Sequence, residues 1–180
     1  EYVAFLAMCY VPEDPEWLTH WLNEAVKEDT GCVGAAVISP EAIVYHAGFS
    51  FDPKQAVLIS EARGASFKGL GYYFRLSLPR EVYAVSELAY LMRLSDYLAL
   101  EDRELPEGAQ GVDISLQVRY HLHKKVIWNP YVVVTDLFTR HFEGSEMQTE
   151  SLRAFWSKEA LYDPYRNPNS LEEGPYDVCD

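Results

Sequence analysis

The heptapeptide CVGAAVI, at residues 32–38, sets the centre of the predicted fold. A short continuous run of apolar and small residues is typical of a buried strand. Residues 39–42 (SPEA) then predict a turn, and residues 43–48 (IVYHAG) predict a strand that returns beside the first as its hairpin partner. The other elements are placed outward from this pair.

A strand and a helix precede this centre. Residues 2–9 (YVAFLAMC) predict a buried strand because they are almost entirely apolar. Asp14 is placed to cap a helix that has Pro15 in its first position. The apolar residues of that helix recur at helical spacing, at Trp17, Leu18, Trp21, Leu22 and Ala25. We expect the helix to end near residues 27–29.

The remainder of the chain alternates between extended and helical patterns. Residues 52–80 contain several glycines and predict a long irregular excursion, which in many proteins is functional. Extended segments are predicted at residues 82–85, 89–93, 125–128 (ending at Pro130) and 131–134. Helices are predicted at residues 95–100, 112–121 and 146–161.

Composition narrows the class of protein. The 180 residues are 48% hydrophobic and 24% charged, which is typical of one soluble globular domain. A formal net charge of -13 disfavours nucleic acid and anionic membranes as partners. The sequence contains neither a signal peptide nor an apolar run of roughly 20 residues that would span a bilayer. Cys9, Cys32 and Cys179 are too few and too scattered for a disulfide framework, so we expect a reducing, cytoplasmic environment.

Seven short motifs occur in a recognisable order. They are Pro12 and Pro15 with Trp17-Leu18, Val33-Gly34-Ala35, YHAG (45–48), VYAVS (82–86), Leu91-Met92-Arg93, GVDISLQVR (111–119) with Trp128-Asn129-Pro130, and DPYRNPN (163–169). In this order they resemble the C-terminal half of a family 2 glycosyltransferase with the GT-A fold. The most similar enzymes are the bacterial ones that build O-antigen and other surface polysaccharides.

The resemblance implies an α/β fold in which a mixed sheet is flanked by helices, similar to the acceptor-binding half of a GT-A enzyme. The glycosyltransferase-like domain would span residues 1–162, and residues 163–180 would form an acidic, proline-rich tail. Members of the family have about a hundred further residues upstream that hold the nucleotide. The chain begins at Glu1 inside a predicted strand, which indicates a piece of a longer polypeptide.

The resemblance also shows where catalytic residues are replaced. An acidic triplet after the first strand holds Mg²⁺ or Mn²⁺ in the family, and Ala7, Met8 and Cys9 stand at those positions. None of these three side chains suits a hard cation, which prefers carboxylate oxygens. The general base of the family falls on Gly111, which has no side chain to accept a proton.

Two aspartates are candidates to replace the missing groups. Asp113 matches the second acidic residue of the base motif and is our candidate catalytic residue; the alternative is a carboxylate that favours a helix N-terminus. Asp136 stands where many relatives have a histidine that touches the metal or diphosphate. We assign it to substrate binding.

Further substrate contacts are implied at Arg93 and in an aromatic cluster. Tyr72 and Tyr73 lie where the family contacts acceptor sugars, and the alternative for this cluster, which includes Phe74, is core packing beneath a loop. His121 and His123 form a possible metal pair without a third ligand, so exposed histidines before an edge strand are the simpler interpretation.

These observations predict a degenerate glycosyltransferase-like domain that is not catalytic. Its role would be structural, or it would bind a glycan acceptor in surface polysaccharide biosynthesis. One alternative is an active inverting transferase whose nucleotide-binding half lies outside this chain or on a partner, with Mg²⁺ or Mn²⁺ and a nucleotide-sugar. The other alternative is a protein-interaction module. For the first hypothesis we expect no cofactor.

Overall fold

A computed structural model describes residues 1–52, 57–69, 71, 74–106, 108–138, 146–157 and 160–165. In these residues the chain forms, in order, β1 (Tyr2–Leu6), β2 (Tyr10–Pro12), α1 (Trp17–Ala25), β3 (Thr30–Ile38), β4 (Val44–His46), β5 (Phe49–Asp52), β6 (Val57–Ser60), β7 (Arg80–Glu81), β8 (Ala89–Arg93), α2 (Leu94–Tyr97), α3 (Gln110–Tyr120), β9 (Lys125–Asp136) and α4 (Glu146–Arg153). The fold is mixed α/β with a core dominated by the sheet.

The central sheet has the strand order β1-β8-β3-β9-β2, with β4 paired to β3 and β7 to β9. β3 and β9 are parallel, whereas β8 is antiparallel to both β1 and β3. The strands β1, β3 and β9 therefore point in one direction and end at the same edge of the sheet. β5 and β6 form a separate antiparallel hairpin.

Strand β3 is buried along its whole length, and both of its faces are covered. Its residues Val33, Ala35 and Val37 pack in one cluster with Trp21 and Ala25 of α1. On the other face, Cys32 and Ala36 belong to a second cluster, which contains Val118 of α3 and Trp128 of β9. The prediction of a buried strand at residues 32–38 with a hairpin partner at 43–48 is confirmed, since β4 pairs antiparallel with β3.

Two predicted strands have different bounds in the structure. Residues 2–9 do not form one strand, because a turn at residues 7–9 separates β1 from β2. The predicted end of a strand at Pro130 is also wrong. β9 continues through this residue with a bulge in its pairing to β3. Ala35 and Ala36, which are successive residues of β3, pair with Asn129 and Val133 of β9.

The predicted strand at residues 82–85 is a buried bend with one isolated bridge, between Ala84 and Phe49. Side chains of α3 bind much of its backbone: Arg119 Nη2 donates to the carbonyls of Val82 and Tyr83, and the Val85 N–H donates to Ser115 Oγ. The remaining backbone bonds of this segment go to Val126 of β9 and Phe49 of β5, so its pairing is too scattered to make it a strand.

Three helix predictions also change at their ends. α1 begins at Trp17 rather than Pro15, and the Asp14 carboxylate accepts the Glu16 N–H at 2.7 Å just before it. α2 spans residues 94–97, so it begins one residue before the predicted 95–100 and ends three residues earlier. α4 ends at Arg153 instead of 161, although Trp156 and Leu161 beyond it remain buried. The helices in the described part of the chain are all too short or too polar to span a lipid bilayer.

The beginning of the predicted tail lies against the domain. The Asp163 carboxylate accepts the backbone N–H of Phe51 at 2.9 Å and that of Tyr165 at 2.8 Å. The Tyr165 hydroxyl donates to Glu81 at 2.7 Å. These contacts give the DPY portion of the last motif a structural role. Residues 166–180 lie outside the described residues.

The first turn of α3 approaches the residues before β8 very closely. A Cβ atom on Gly111 would lie 2.4 Å from the Val85 carbonyl oxygen and 2.5 Å from the Glu87 backbone nitrogen. Real side chains do not tolerate such distances to backbone atoms, so only glycine allows this contact between α3 and the sheet.

We predict that Gly111→Ala lowers the free energy of unfolding by about 2–4 kcal/mol, although alanine is the better helix former by about 1 kcal/mol. Urea denaturation measures this change. Gly69→Ala is the control, because the added Cβ would lie 3.4 Å from its nearest neighbour, the Ser66 carbonyl oxygen. The stability of this variant should hardly change. Equal stabilities of the two variants would refute the close contact.

Candidate functional site

The candidate site lies at the edge where β1, β3 and β9 end. In open α/β sheets, ligands bind outside the carboxyl ends of the strands. Backbone contacts gather the predicted positions there: the Ala7 N–H donates to Leu88, and the Leu137 N–H donates to Cys9. The sequence positions that replace metal ligands, the base motif and Asp136 are thus brought to one edge.

Residues 7–9 do not form a site for Mg²⁺ or Mn²⁺. They make a tight turn in which the Tyr10 N–H donates to the Ala7 carbonyl at 3.0 Å, and the Met8 side chain is fully exposed. In the described ranges, no group of three or more His, Cys, Asp or Glu side chains is placed to hold a metal ion. The donor set at this turn is hydrocarbon and sulfur, which does not fit a hard cation.

Glu87 is a residue that sequence reasoning missed. Its carboxylate accepts backbone N–H groups of Gly108 and Gly111 at the start of α3, and so caps that helix. A Cβ on Gly111 would lie only 2.8 Å from Glu87 Oε2. The carboxylate of Glu87 therefore occupies the space into which a side chain at position 111 would project. No local pattern signals this, because 24 residues separate the partners.

Asp113 is a buried structural carboxylate, with only 3% of its surface exposed. Its Oδ1 accepts from Arg103 Nη1 at 2.8 Å and from the Trp156 indole at 2.6 Å. Its Oδ2 accepts from Gln117 Nε2 at 2.7 Å. Both oxygens are thus engaged by donors from three segments. The residue does lie in the first turn of α3, as the alternative interpretation predicts, but its main interactions are with side chains.

Asp136 is buried at the end of β9. Its Oδ1 accepts the Phe138 N–H at 2.9 Å, whereas Oδ2 has no hydrogen-bond partner among the described residues. Tyr10 lies opposite it in the β2–β9 register. Burial and the nearby Asp136 carboxylate raise the pKa of the Tyr10 hydroxyl, which therefore stays protonated. Asp136 is at the expected edge but faces the interior.

Arg93, a further predicted residue, is not brought to this edge. Arg93 lies at the opposite end of β8, where its Nη2 donates to the carbonyls of Val26 and Lys27 at the end of α1. Tyr72 and Tyr73 lie outside the described residues, and Phe74 beside them is exposed rather than packed in the core.

His121 and His123 are exposed, as the simpler interpretation predicts. The strand that follows them, β9, lies inside the sheet rather than at its edge, because it pairs with β3 on one side and with β2 and β7 on the other.

An open cleft of about 390 Å³ lies beside this edge, between β1, α2 with the segment after it, and the start of α3. Three aromatic rings line it: Phe5 stacks on Tyr90 with ring centroids 4.6 Å apart, and Tyr97 lies 5.1 Å from Phe5. The polar residues of the lining are Glu87, Glu101, Asp102, Arg103, Gln110 and Asp113.

Arg103 holds one wall of the cleft together. Its guanidinium pairs with Glu101 at 2.7 Å and with Asp113 at 2.8 Å, and lies 5.0 Å from the ring centroids of Phe155 and Trp156. The hydrogen bond from Arg103 lowers the pKa of Glu101. Glu101 is therefore ionised at neutral pH.

A smaller recess of about 20 Å³ lies on the other side of Glu87, and His46 forms part of its wall. The Ser60 hydroxyl donates to the Tyr45 carbonyl, so it accepts from His46 Nδ1 at 3.3 Å. This places a proton on Nδ1, so Nε2 carries none when the imidazole is neutral. Burial and the nearby Arg80 guanidinium lower the pKa of His46 to about 3.

We predict that His46 makes stability depend on pH. Its folded-state pKa lies below the unfolded value of about 6.5, so this contribution is complete at neutral pH and decreases as the pH falls. From pH 7.5 to pH 5 the loss should be about 2 kcal/mol. Urea denaturation across this range should show a weaker pH dependence for His46→Gln than for the parent protein. The exposed-site control His121→Gln should retain it, and an unchanged dependence in His46→Gln would refute the buried neutral imidazole.

We also predict that Asp113→Ala lowers the free energy of unfolding by about 3–5 kcal/mol, because it leaves the mostly buried guanidinium of Arg103 without one of its two carboxylates. Chemical denaturation measures this loss. Glu104→Ala removes an exposed carboxylate nearby and should change stability by less than about 0.5 kcal/mol. A fully stable Asp113→Ala protein would contradict the structural role.

Comparison with known proteins gives one weak similarity. The chain is 25% identical to the uncharacterized protein y4gI of Sinorhizobium fredii (strain NBRC 101917 / NGR234) over 182 aligned residues, which cover 90% of this chain and 19% of y4gI. The chain thus spans about a fifth of the length of this relative. No family model matches the chain.

Proposed function

We propose that the chain is a glycosyltransferase-like domain that binds carbohydrate in the aromatic cleft and does not transfer sugar by itself. Its partner would be a glycan acceptor in surface polysaccharide biosynthesis. The observation that carries this proposal is the cleft itself, in which exposed aromatic surface and ionised hydrogen-bonding groups face the same space. The mixed sheet with α1 and α3 on its two faces also supports it, since the resemblance implies such a fold.

The chemistry of the lining suits a sugar. One face of a pyranose ring presents C–H groups, which pack on aromatic rings, while its hydroxyl groups require hydrogen-bond partners at the edge. Tyr97 offers such a surface, with 36% of the residue exposed, and Glu101, Asp102 and Gln110 are exposed around it. The volume of about 390 Å³ lies within the usual range of ligand sites, about 300–1,000 Å³.

The state of the carboxylates supports binding without turnover. A general base must have an oxygen within hydrogen-bond reach of the acceptor hydroxyl. Both oxygens of Asp113 are occupied by protein donors, and Glu87 caps α3. Neither group is arranged to take a proton.

We predict that Tyr97→Ala weakens oligosaccharide binding at least tenfold, since aromatic contacts contribute about 1 kcal/mol or more beyond burial. Calorimetric titration with neutral bacterial surface oligosaccharides measures this, with circular dichroism to show that the variant is folded. Tyr131→Ala is the matched control, because Tyr131 is equally an exposed tyrosine but lies outside the cleft, beside His20. Binding that survives Tyr97→Ala, or no binding of any oligosaccharide, would refute the proposal.

A second candidate is the active inverting transferase, with its nucleotide-binding half elsewhere. The observation that favours it is the position of Glu87, whose carboxylate lies where a side chain of the base motif would project. A nucleotide-sugar that binds the folded state would raise the melting temperature. A shift that requires Mn²⁺, or release of nucleoside diphosphate that Glu87→Gln abolishes, would replace the first proposal with this one.

A further inference from the structure

The charge of the cleft bears on which sugars it accepts. Four carboxylates line its described walls, from Glu87, Glu101, Asp102 and Asp113, against the single guanidinium of Arg103. That guanidinium is already paired with Glu101 and Asp113. A bound anion would therefore have to share this guanidinium with two carboxylates.

The position of these groups makes their charge effective. The side chain of Glu101 is 65% exposed, and Asp102 beside it is exposed too, so both stand at the mouth of the cleft. The aromatic rings beneath them attract cations as well, because the face of an aromatic ring is electron-rich. The formal net charge of the chain, -13, adds a field of the same sign over a longer range.

We propose that the cleft selects sugars that carry a positive charge, namely amino sugars with a free ammonium group, over sugars that carry carboxylate or phosphate. This inference rests on the proposed function, in which the cleft binds a sugar ring. The selection by charge is a separate property of the lining. The ammonium group would lie near Asp102 and Glu101 at the mouth, with the ring against Tyr97. Neutral sugars would bind with intermediate affinity.

The experiment compares three monosaccharides of one ring shape: D-glucosamine with its amine protonated, methyl α-D-glucoside and D-glucuronate. Each is titrated into the protein while the backbone amide signals of residues 97–105 are followed by nuclear magnetic resonance. We expect affinity to fall in that order, with about a tenfold difference between the first and the last at low salt. The difference should shrink several-fold at about 0.5 M NaCl, because salt screens exposed charges.

Two variants locate the selection. Asp102→Asn should reduce the preference for D-glucosamine over the neutral glucoside about threefold, because it removes one of the carboxylates at the mouth. The matched control, Glu104→Gln, removes an exposed carboxylate that is not part of the lining and should change neither affinity nor preference. An Asp102→Asn protein that keeps the full preference would overturn the role given to this residue.

The outcomes separate this inference from the proposed function. Equal affinity for the three sugars, lost in Tyr97→Ala, would overturn charge selection and leave carbohydrate binding intact. If Nα-acetyl-L-lysine methylamide binds as tightly as D-glucosamine, and Tyr97→Ala affects neither, the cleft attracts cations without recognising a sugar and the proposal fails in favour of a basic protein segment. If no probe shifts the amide signals of the cleft, both proposals are wrong.

Discussion

The burial of β3 on both faces is the constraint on which the rest of the structure depends. A strand with no exposed face requires a helix layer on each side and a neighbouring strand at each edge, which here are α1, α3, β8 and β9. Small residues in β3 allow these neighbours to come close: a Cβ on Gly34 would lie 2.5 Å from a methyl group of Val85. Because β3 runs parallel to β9 and in the same direction as β1, all three strands end together and create the edge where the candidate site lies.

The same close packing explains why carboxylates at this edge serve the fold. Residues 85–87 are held between β3 and the first turn of α3, so Glu87 meets the free N–H groups of that turn. Asp113, two residues further along α3 than Gly111, is turned toward Arg103 and Trp156. Burying a carboxylate is costly unless donors surround it. The carboxylates of Glu87 and Asp113 both have such donors. The hydrogen bonds that they accept occupy the lone pairs that proton transfer would need.

The sequence was sufficient for the elements whose signals are local. The apolar run of β3, the hairpin to β4, the helical spacing of α1 and α3 and the extended pattern of β8 all lie within single segments, and each is found in the structure. The bend at residues 82–85 was mispredicted because part of its backbone is bound by Ser115 and Arg119, which come from a helix 30 to 37 residues later. The role of Glu87 and the assembly of the cleft from β1, α2 and α3 depend on such distant contacts. The sequence-based prediction of aromatic sugar contacts names Tyr72 and Tyr73, because clustered aromatic residues are visible in a sequence whereas rings gathered from different strands are not.

The two walls of the cleft differ in how deeply they are built into the fold. On the α3 wall, Asp113 is buried and Arg103 is mostly buried, and both are bonded to several segments, so a change there acts first on folding. On the opposite wall, Tyr97, Leu98 and Asp102 belong to a short helix and the exposed segment after it, and each keeps a large part of its surface in solvent. Exposed positions of this kind tolerate substitution with little loss of stability. The charge and shape of the mouth of the cleft are therefore set by exposed residues, while the aromatic floor of Phe5 and Tyr90 is fixed by the sheet.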